Sequence, residues 1–211
     1  MNTALASLEV SDLACVRGSR ALFRNLYFKV EPGRALVVEG PNGAGKTSLL
    51  RTLAGFLAPA AGAIALRVGD SAIAEAEERA KHIGWFGHQD GLKPQLTAQE
   101  NLVFFARLYG GNPTHVVPML DWAGLSRAAD FPVQYLSAGQ KKRLALARLK
   151  LSNRSVWLLD EPFAALDAAG KKLVEQMLAE HCATGGIAII ATHETISLEA
   201  SRMMLGNAVA A

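Results

Sequence analysis

One stretch constrains the fold of this chain more than any other: Gly40-Pro41-Asn42-Gly43-Ala44-Gly45-Lys46-Thr47-Ser48. Its first eight residues fit the pattern G-x-x-x-x-G-K-[S/T], between an apolar run that ends near residue 39 and a run with helical periodicity. Glycines let the backbone fold around an anion, so that successive N–H groups and the positive end of the next helix point at it. The stretch therefore predicts a strand, a phosphate-binding loop and a helix.

Short apolar runs alternate with segments of helical periodicity along the rest of the chain. The predicted buried strands are residues 35–38, 83–86, 156–159 and 187–190, and the predicted helices are residues 47–57, 97–109, 137–151 and 168–184. Residues 4–16 and 21–30 predict two strands joined by a turn at Gly18-Ser19. We expect an α/β fold with a mainly parallel sheet, an antiparallel β edge and a helical subdomain at about 90–151, all in one domain, 1–211.

Composition excludes several classes of protein. The 211 residues are 50% hydrophobic and 19% charged, which argues against disorder. The formal net charge of +3 is small and evenly spread, so we expect no nucleic-acid partner. Cys15 and Cys182 have no metal-site spacing. The longest apolar stretch, 53–66, is too short to span a bilayer, and no signal peptide is visible at the start, so we expect a cytosolic location.

The residue types of the loop match the needs of a nucleoside triphosphate. Lys46 would reach the β- and γ-phosphates, and Thr47 would supply a hydroxyl to Mg²⁺. The alternative is a glycine-rich turn with an incidental Lys-Thr pair, which the flanking strand and helix disfavour.

Two adjacent carboxylates, Asp160 and Glu161, follow the apolar run 156–159. Because adjacent side chains of a strand point in opposite directions, we expect Asp160 to address Mg²⁺. Glu161 would then face a water molecule in line with the γ-phosphate, as a general base. The alternative is an acidic strand end beside a turn.

Two more polar residues follow predicted strands and are ambiguous by themselves. His193 comes shortly after the run 187–191, at the edge where parallel sheets bind ligands, but a solvated histidine is equally consistent with the pattern. Gln89 follows the run 83–87 and is either a metal-facing, water-positioning amide or an ordinary loop glutamine.

The stretch Leu136-Ser137-Ala138-Gly139-Gln140 has two interpretations. Ser137 and Gln140 have the spacing of a capping box, which alone explains a helix start. Placed between the phosphate loop and the two carboxylates, the stretch also resembles the signature motif of ATP-binding cassette (ABC) ATPases. The resemblance covers nearly the whole chain, because Gln89 looks like the Q-loop glutamine, 164–167 like the D-loop and His193 like the switch histidine.

The resemblance implies a head-to-tail homodimer in which the phosphate loop of one protomer binds ATP and Mg²⁺. The signature residues of the other protomer, Ser137, Ala138, Gly139 and Gln140, would cap that ATP, with Asp167 in the D-loop. The resemblance implies Glu161, His193 and Gln89 for catalysis, and Thr47, Gln89 and Asp160 for the metal.

Three residues depart from the family pattern. Ala138 replaces a glycine, which a helical position should tolerate, because its φ is negative. Ala164 stands where the D-loop commonly has a hydroxyl. Near Arg17, where many members of the family carry an aromatic residue that stacks on adenine, no tyrosine is found, although a guanidinium can also stack on a base.

The strings EGPNGAGKTSLLR, GHQDGLKPQLTAQENL, LSAGQKKRLALARL and VWLLDEPFAALDAAG resemble ATP-binding subunits of cytochrome c maturation systems. The resemblance implies hydrolysis of ATP coupled to haem delivery or to release of a haem-loaded chaperone, on integral membrane subunits at the cytoplasmic face of the inner membrane. Residues 89–102 would contact those subunits, with Leu92, Leu96, Phe104 and Phe105 as candidate anchors or, alternatively, as core. An ABC exporter for another cargo and a soluble ABC-type regulator remain the alternatives.

Overall fold

A computed structural model describes residues 5–87 and 91–206 of the chain. These residues divide into two compact units. The first unit comprises the described parts of 1–85, 154–162 and 178–211, and the second comprises those of 86–153 and 163–177.

The first unit is built on two sheets. The strands are β1 (Ala6–Arg17), β2 (Arg20–Val30), β3 (Ala35–Glu39), β4 (Ala61–Val68), β5 (Ser71–Ile73), β6 (Ile83–Phe86), β7 (Val156–Asp160), β8 (Ile187–Ala191) and β9 (Ser201–Met204). One sheet has the order β6-β7-β8-β3-β9, in which β7, β8, β3 and β9 pair in parallel. The other is antiparallel, with the order β2-β1-β4-β5. The predicted α/β class is confirmed, and the antiparallel strands form a sheet of their own.

The central strands β3, β7 and β8 of the parallel sheet are almost entirely apolar and buried, which is the pattern of strands covered on both faces. Every residue of β7 and β8 is buried, as four-residue apolar runs predicted. Side chains from both sheets share one core with the helix that follows the phosphate loop. The carboxyl ends of β3 and β7 and the loop after β8 therefore lie together on a rigid base, where open parallel sheets bind ligands.

The helices are α1 (Lys46–Leu53), α2 (Ala76–Ala80), α3 (Ala98–Leu108), α4 (Val116–Trp122), α5 (Ala138–Leu151) and α6 (Ala168–Ala183). Helix α1 is shorter than the predicted 47–57. Gly55 has a φ of 80°, which is incompatible with a continuing right-handed helix. The strands β4, β5 and β9 did not stand out in the sequence, because most of their residues are solvent-exposed.

The second unit is a helical body with its own apolar core. Helices α3, α4 and α5 contribute most of the buried side chains, including Leu102, Leu120 and Leu144. In the part of the chain that the structure describes, no helix is both long and apolar enough to cross a bilayer.

Candidate functional site

The phosphate loop joins β3 to α1, and its shape depends on glycine at two positions. Gly40 has a φ of 146°, and a Cβ there would lie 2.5 Å from the carbonyl oxygen of Leu205. Gly45 has a φ of 102°, and a Cβ there would lie 3.1 Å from Cβ of Leu22. Only glycine combines these backbone angles with such close neighbours.

Helix α1 begins directly at the loop and leaves amides available to an anion. The first helical hydrogen bond is donated by Leu49 N to Gly45 O, at 2.7 Å. The N–H groups of Lys46, Thr47 and Ser48 precede this bond, so they are the groups that bind anions at a helix N-terminus, where the helix dipole adds partial positive charge.

The side chain of Lys46 is buried and lies beneath the loop. Its Nζ donates to Gly40 O at 2.6 Å and lies 3.4 Å from Pro41 O and 2.9 Å from His193 Nε2. The same nitrogen lies 3.1 Å from Asn42 Oδ1, so Nε2 contacts both the ammonium donor and an oxygen acceptor. Lysine, histidine and loop thus meet where a terminal phosphate would bind.

Thr47 and Asp160 connect the loop to the end of β7. Thr47 Oγ1 donates to Asp160 Oδ2 at 2.8 Å, and Asp160 is only 9% exposed. A hydroxyl and a carboxylate oxygen are donors that Mg²⁺ accepts, with phosphate oxygens and water completing its shell. Among residues 5–87 and 91–206, no cluster of three or more His, Cys, Asp or Glu side chains could hold a metal alone. By their chemistry, the hydroxyl of Thr47 and the carboxylate of Asp160 fit a cation that is shared with a phosphate ligand.

Glu161 leaves the strand in a left-handed conformation. Its φ is 49°, and its N–H donates to Ala191 O at 2.8 Å, which holds it at the end of β8. Its Oε1 lies 3.6 Å from His193 Nε2. Strand alternation predicted that Asp160 and Glu161 face apart, but the strand ends at Asp160 and both residues line the same cleft.

This nucleotide-sized cleft has a volume of about 340 Å³ and lies entirely within the first unit. It is lined by Arg17, Leu22, Pro41, Asn42, Gly43, Gly45, Lys46, Thr47, Ser48, Asp160 and Glu161. Leu22 was not singled out from the sequence, because only the hairpin register brings it against the loop. Gln89, assigned to catalysis and to the metal, lies outside the described residues, and those two roles stay predictions.

The signature stretch forms the start of α5, in the second unit. Ser137 Oγ accepts from Gln140 N at 3.2 Å, and Gln140 Oε1 accepts from Ser137 N at 2.8 Å. The predicted capping box is confirmed. Ser137 and Ala138 are solvent-exposed, and Gly139 is half-buried. The cap therefore accounts for the helix start and leaves the outer face of this N-terminus exposed.

The D-loop stretch lies beside this helix start in the same unit. A Cβ on Gly139 would lie 3.5 Å from Ala165 O, and Ala165 has a φ of 60°. Asp167 Oδ1 accepts from Gly170 N at 2.8 Å and so caps α6. Asp167 thus stabilises the start of α6.

The four candidate anchors of the second unit differ in how far their side chains are buried. Leu92 and Phe105 are buried in the helical core, and Leu96 is half-buried. Phe104 is 42% exposed and lies on α3 near Leu108, which is 63% exposed. Of the four residues named from the sequence, Phe104 is the one that offers a free apolar surface.

Comparisons with known proteins agree with this geometry. Residues 23–164 match the model of the ABC transporter family. The chain is 45% identical to the cytochrome c biogenesis ATP-binding export protein CcmA of Rhodopseudomonas palustris (strain BisB5), over 93% of this chain and 96% of that protein.

Two solved structures are also similar. One is an ATP-binding protein of a putative ABC transporter from Pyrococcus furiosus, with a TM-score of 0.81 and 26% identity over 94% of this chain and 97% of that one. The other is the dimeric, post-hydrolysis structure of the ATP-binding cassette MJ0796 bound to ADP and Pi, with a TM-score of 0.75. That likeness covers 89% of this chain and 88% of that one, and at 24% identity it establishes the fold. The chain belongs to the ABC transporter family, among the ATP-binding proteins related to the cytochrome c biogenesis export protein CcmA.

Proposed function

We propose that this chain is the ATP-hydrolysing subunit of a membrane ABC complex for cytochrome c biogenesis. One observation supports this most: a single cleft brings together Lys46, Thr47, Asp160 and Glu161, with His193 in contact with Lys46 and Glu161. The combination supplies a cation for phosphates, oxygen donors for Mg²⁺ and a carboxylate for a proton. The cytochrome c role rests on the name of the relatives.

ATP binds by exchanging the contacts of Lys46. Its ammonium leaves Gly40 O and His193 Nε2 for oxygens of the β- and γ-phosphates, which frees His193 for the γ-phosphate. Thr47 and Asp160 would hold Mg²⁺, which neutralises charge on the β- and γ-phosphate oxygens when it is bound.

Hydrolysis uses Glu161 as the proton acceptor. The attacking water forms a bond to the γ-phosphorus and gives its proton to the carboxylate, while the bond to the β–γ bridging oxygen breaks and ADP leaves with that oxygen. Two observations support this role: Glu161 lines the cleft, and its Oε1 lies 3.6 Å from His193. Gln89 would position the water and contact the metal.

The active state is a homodimer of this subunit. Ser137, Ala138, Gly139 and Gln140 of one protomer cap the ATP of the other, with Asp167 near the contact. The exposed start of the 14-residue helix α5 supports this arrangement, because its amides and dipole favour a phosphate. Loss of the γ-phosphate removes the contacts that favour the closed dimer, which then opens.

The subunit acts at the cytoplasmic face of the inner membrane as a peripheral protein. It would dock on integral membrane subunits through the exposed apolar part of α3, Phe104 and Leu108. Opening and closing of the dimer would then drive haem delivery or the release of a haem-loaded chaperone, which is an indirect partner.

The test is affinity purification of Glu161→Gln from native membranes with Mg-ATP, followed by identification of bound proteins and the haem Soret band. Polytopic subunits together with a haem-bearing chaperone are the expected result. Polytopic partners without haem would favour another cargo, and only soluble partners would contradict the membrane role. Lys46→Ala is the matched control, because it should capture no partner in a nucleotide-dependent way.

A further inference from the structure

The strand that leads into the phosphate loop ends on a carboxylate. Glu39 is the last residue of β3 and directly precedes Gly40. Because consecutive Cα atoms lie about 3.8 Å apart, a negative charge stands beside a loop that is proposed to bind a polyanion. The side chain of Glu39 is only 29% exposed, so water screens this charge incompletely. Such a charge opposes the binding of phosphates unless a cation compensates it.

Arg202, on β9, supplies that cation. Strands β3 and β9 are parallel neighbours, in which Val37 lies opposite Arg202 and Glu39 lies opposite Met204. The side chain of Arg202 reaches towards the carboxyl end of β3, where its Nη1 donates to Glu39 Oε1. This charged hydrogen bond places a positive charge directly on the carboxylate that precedes the loop.

The backbone of β9 and the residue after it hold Glu39 in this place. Leu205 N donates to Glu39 O at 2.8 Å, and a Cβ on Gly40 would lie 2.5 Å from Leu205 O. The loop is also tied to α1, because Lys46 Nζ donates to Gly40 O at 2.6 Å. A shift of the backbone therefore cannot withdraw the carboxylate of Glu39, and its pairing with Arg202 decides how much negative charge the loop experiences.

A second ion pair on the same two strands provides an internal comparison. Arg34 Nη1 donates to Glu199 Oε1 at 3.2 Å. Arg34 directly precedes β3 and Glu199 lies just before β9, so this pair joins the two strands at their amino ends. Because the strands are parallel, the two ion pairs lie at opposite edges of the sheet. Of the two, the pair of Glu39 and Arg202 is the one beside the phosphate loop.

We propose that Arg202 raises the affinity of the phosphate loop for Mg-ATP by neutralising Glu39. This inference rests on the proposed function, because it requires that the loop binds a nucleoside triphosphate. Without Arg202, the carboxylate repels the phosphates through space, and the repulsion weakens when salt screens it. Hydrolysis of bound ATP keeps its rate, because neither Glu39 nor Arg202 lines the cleft.

The test is equilibrium displacement of a fluorescent ATP analogue from the full chain by Mg-ATP, in about 0.1 M and about 1 M KCl, where the Debye length is about 10 Å and about 3 Å. Arg202→Met keeps an unbranched side chain and removes the charge. We expect its Kd to lie about fivefold above that of the wild type in low salt, and within about twofold of it in high salt. Arg202→Lys keeps the charge and should resemble the wild type in both. Single-turnover hydrolysis at saturating Mg-ATP should stay within about twofold of the wild-type rate in both variants.

The double variant Glu39→Gln, Arg202→Met separates charge compensation from a structural role of the pair. With neither charge present, its Kd should return to within about twofold of the wild type. The matched control is Arg34→Met, which breaks the other ion pair of the same strands and should leave the Kd unchanged. Both single variants should unfold in urea close to the wild type, because partly exposed ion pairs stabilise a fold little.

A wild-type Kd for Arg202→Met in low salt would contradict the inference and leave the proposed function intact. A double variant as weak as Arg202→Met, or a loss of affinity that persists in high salt, would give the pair a structural role instead. If Mg-ATP did not displace the probe from the wild type, the proposed function would fail, and this inference with it. Lys46→Ala, which should lose the displacement, identifies binding at the phosphate loop.

Discussion

Lys46 Nζ lies 2.9 Å from His193 Nε2, so the proposed phosphate-binding cation and the proposed switch histidine are in direct contact. Lys46 is already buried and holds Gly40 O at 2.6 Å. The ammonium group therefore loses its water when the chain folds, and the hydrogen bond to the backbone carbonyl offsets part of that free-energy cost.

This relationship predicts different effects of His193→Ala on binding and on turnover. Lys46 and the loop amides still bind the phosphates when His193 is removed, so the Kd for Mg-ATP should change by less than about threefold. Phosphate release should fall by about tenfold or more, because the γ-phosphate loses a contact needed during transfer. Titration of ATP and steady-state phosphate release measure the two effects. His115→Ala, an exposed histidine of the second unit, is the control, and equal turnover in both variants would exclude His193 from catalysis.

The hydrogen bond from Thr47 Oγ1 to Asp160 Oδ2 predicts a dependence on Mg²⁺. Thr47→Val keeps the volume but removes the hydroxyl, so the Mg²⁺ concentration for half-maximal ATPase activity should rise about tenfold. Thr47→Ser keeps the hydroxyl and should remain close to the wild type. Phosphate release measured across a range of free Mg²⁺ compares the three proteins. The assignment fails if valine and serine behave alike.

The capping box of α5 allows the structural and functional roles of Ser137 to be separated. Ser137→Ala removes the cap and should cost about 1 kcal/mol of stability. Ser137→Asp keeps a good cap but places negative charge where the partner's γ-phosphate is proposed to bind. We expect Ser137→Asp to unfold like the wild type in urea and to have lost most of its ATPase activity. Activity retained in Ser137→Asp would leave Ser137 as a helix cap only.

Much of the site could be predicted because its residues are fixed by local backbone rules. The loop 40–47 needs glycine at Gly40 and Gly45 for steric reasons that are visible in the sequence pattern. Ser137 and Gln140 have the spacing of a capping box, and the cap forms. Buried strands such as β8 are apolar at every position, so they stand out without an alignment.

The features of the site that could not be predicted from the sequence depend on tertiary structure. Leu22 joins the cleft because the hairpin packs on Gly45, and no local pattern encodes that contact. The direction of Glu161 depends on a left-handed φ held by a hydrogen bond to Ala191, which overrides strand alternation. Phe104 and Phe105 are neighbours of the same type, and only packing distinguishes the exposed ring from the buried one. The treatment of 1–211 as a single nucleotide-binding domain stays a prediction.

A buried histidine outside the cleft predicts how stability responds to pH. The ring of His181 stacks on Trp157 with 3.8 Å between centroids and is 6% exposed. Burial lowers the pKa of His181 to about 4, although backbone hydrogen bonds at Ile187 and Ser155 oppose the shift. In the unfolded chain this pKa returns to about 6.5. As pH falls from about 6.5 towards 4, the ring of His181 binds a proton in the unfolded chain but not in the folded chain. The free energy of unfolding therefore decreases.

The corresponding measurement is urea unfolding at pH 7.5 and pH 5 for the wild type and His181→Gln. Glutamine keeps a polar side chain but cannot titrate. Other titrating groups are common to both proteins. The free energy of unfolding of the wild type should therefore fall by about 2 kcal/mol more than that of the variant between pH 7.5 and pH 5. Equal losses would show that His181 does not remain neutral in the fold.

The proposed chemistry depends on Glu161 accepting the proton of the attacking water. The most direct measurement is ATP binding and single-turnover hydrolysis by Glu161→Gln, with Glu77→Gln, an exposed glutamate of α2, as the control. We expect Glu161→Gln to bind Mg-ATP with a Kd close to that of the wild type and to hydrolyse it at least about a hundredfold more slowly. Hydrolysis at the wild-type rate would contradict the role of Glu161 as general base.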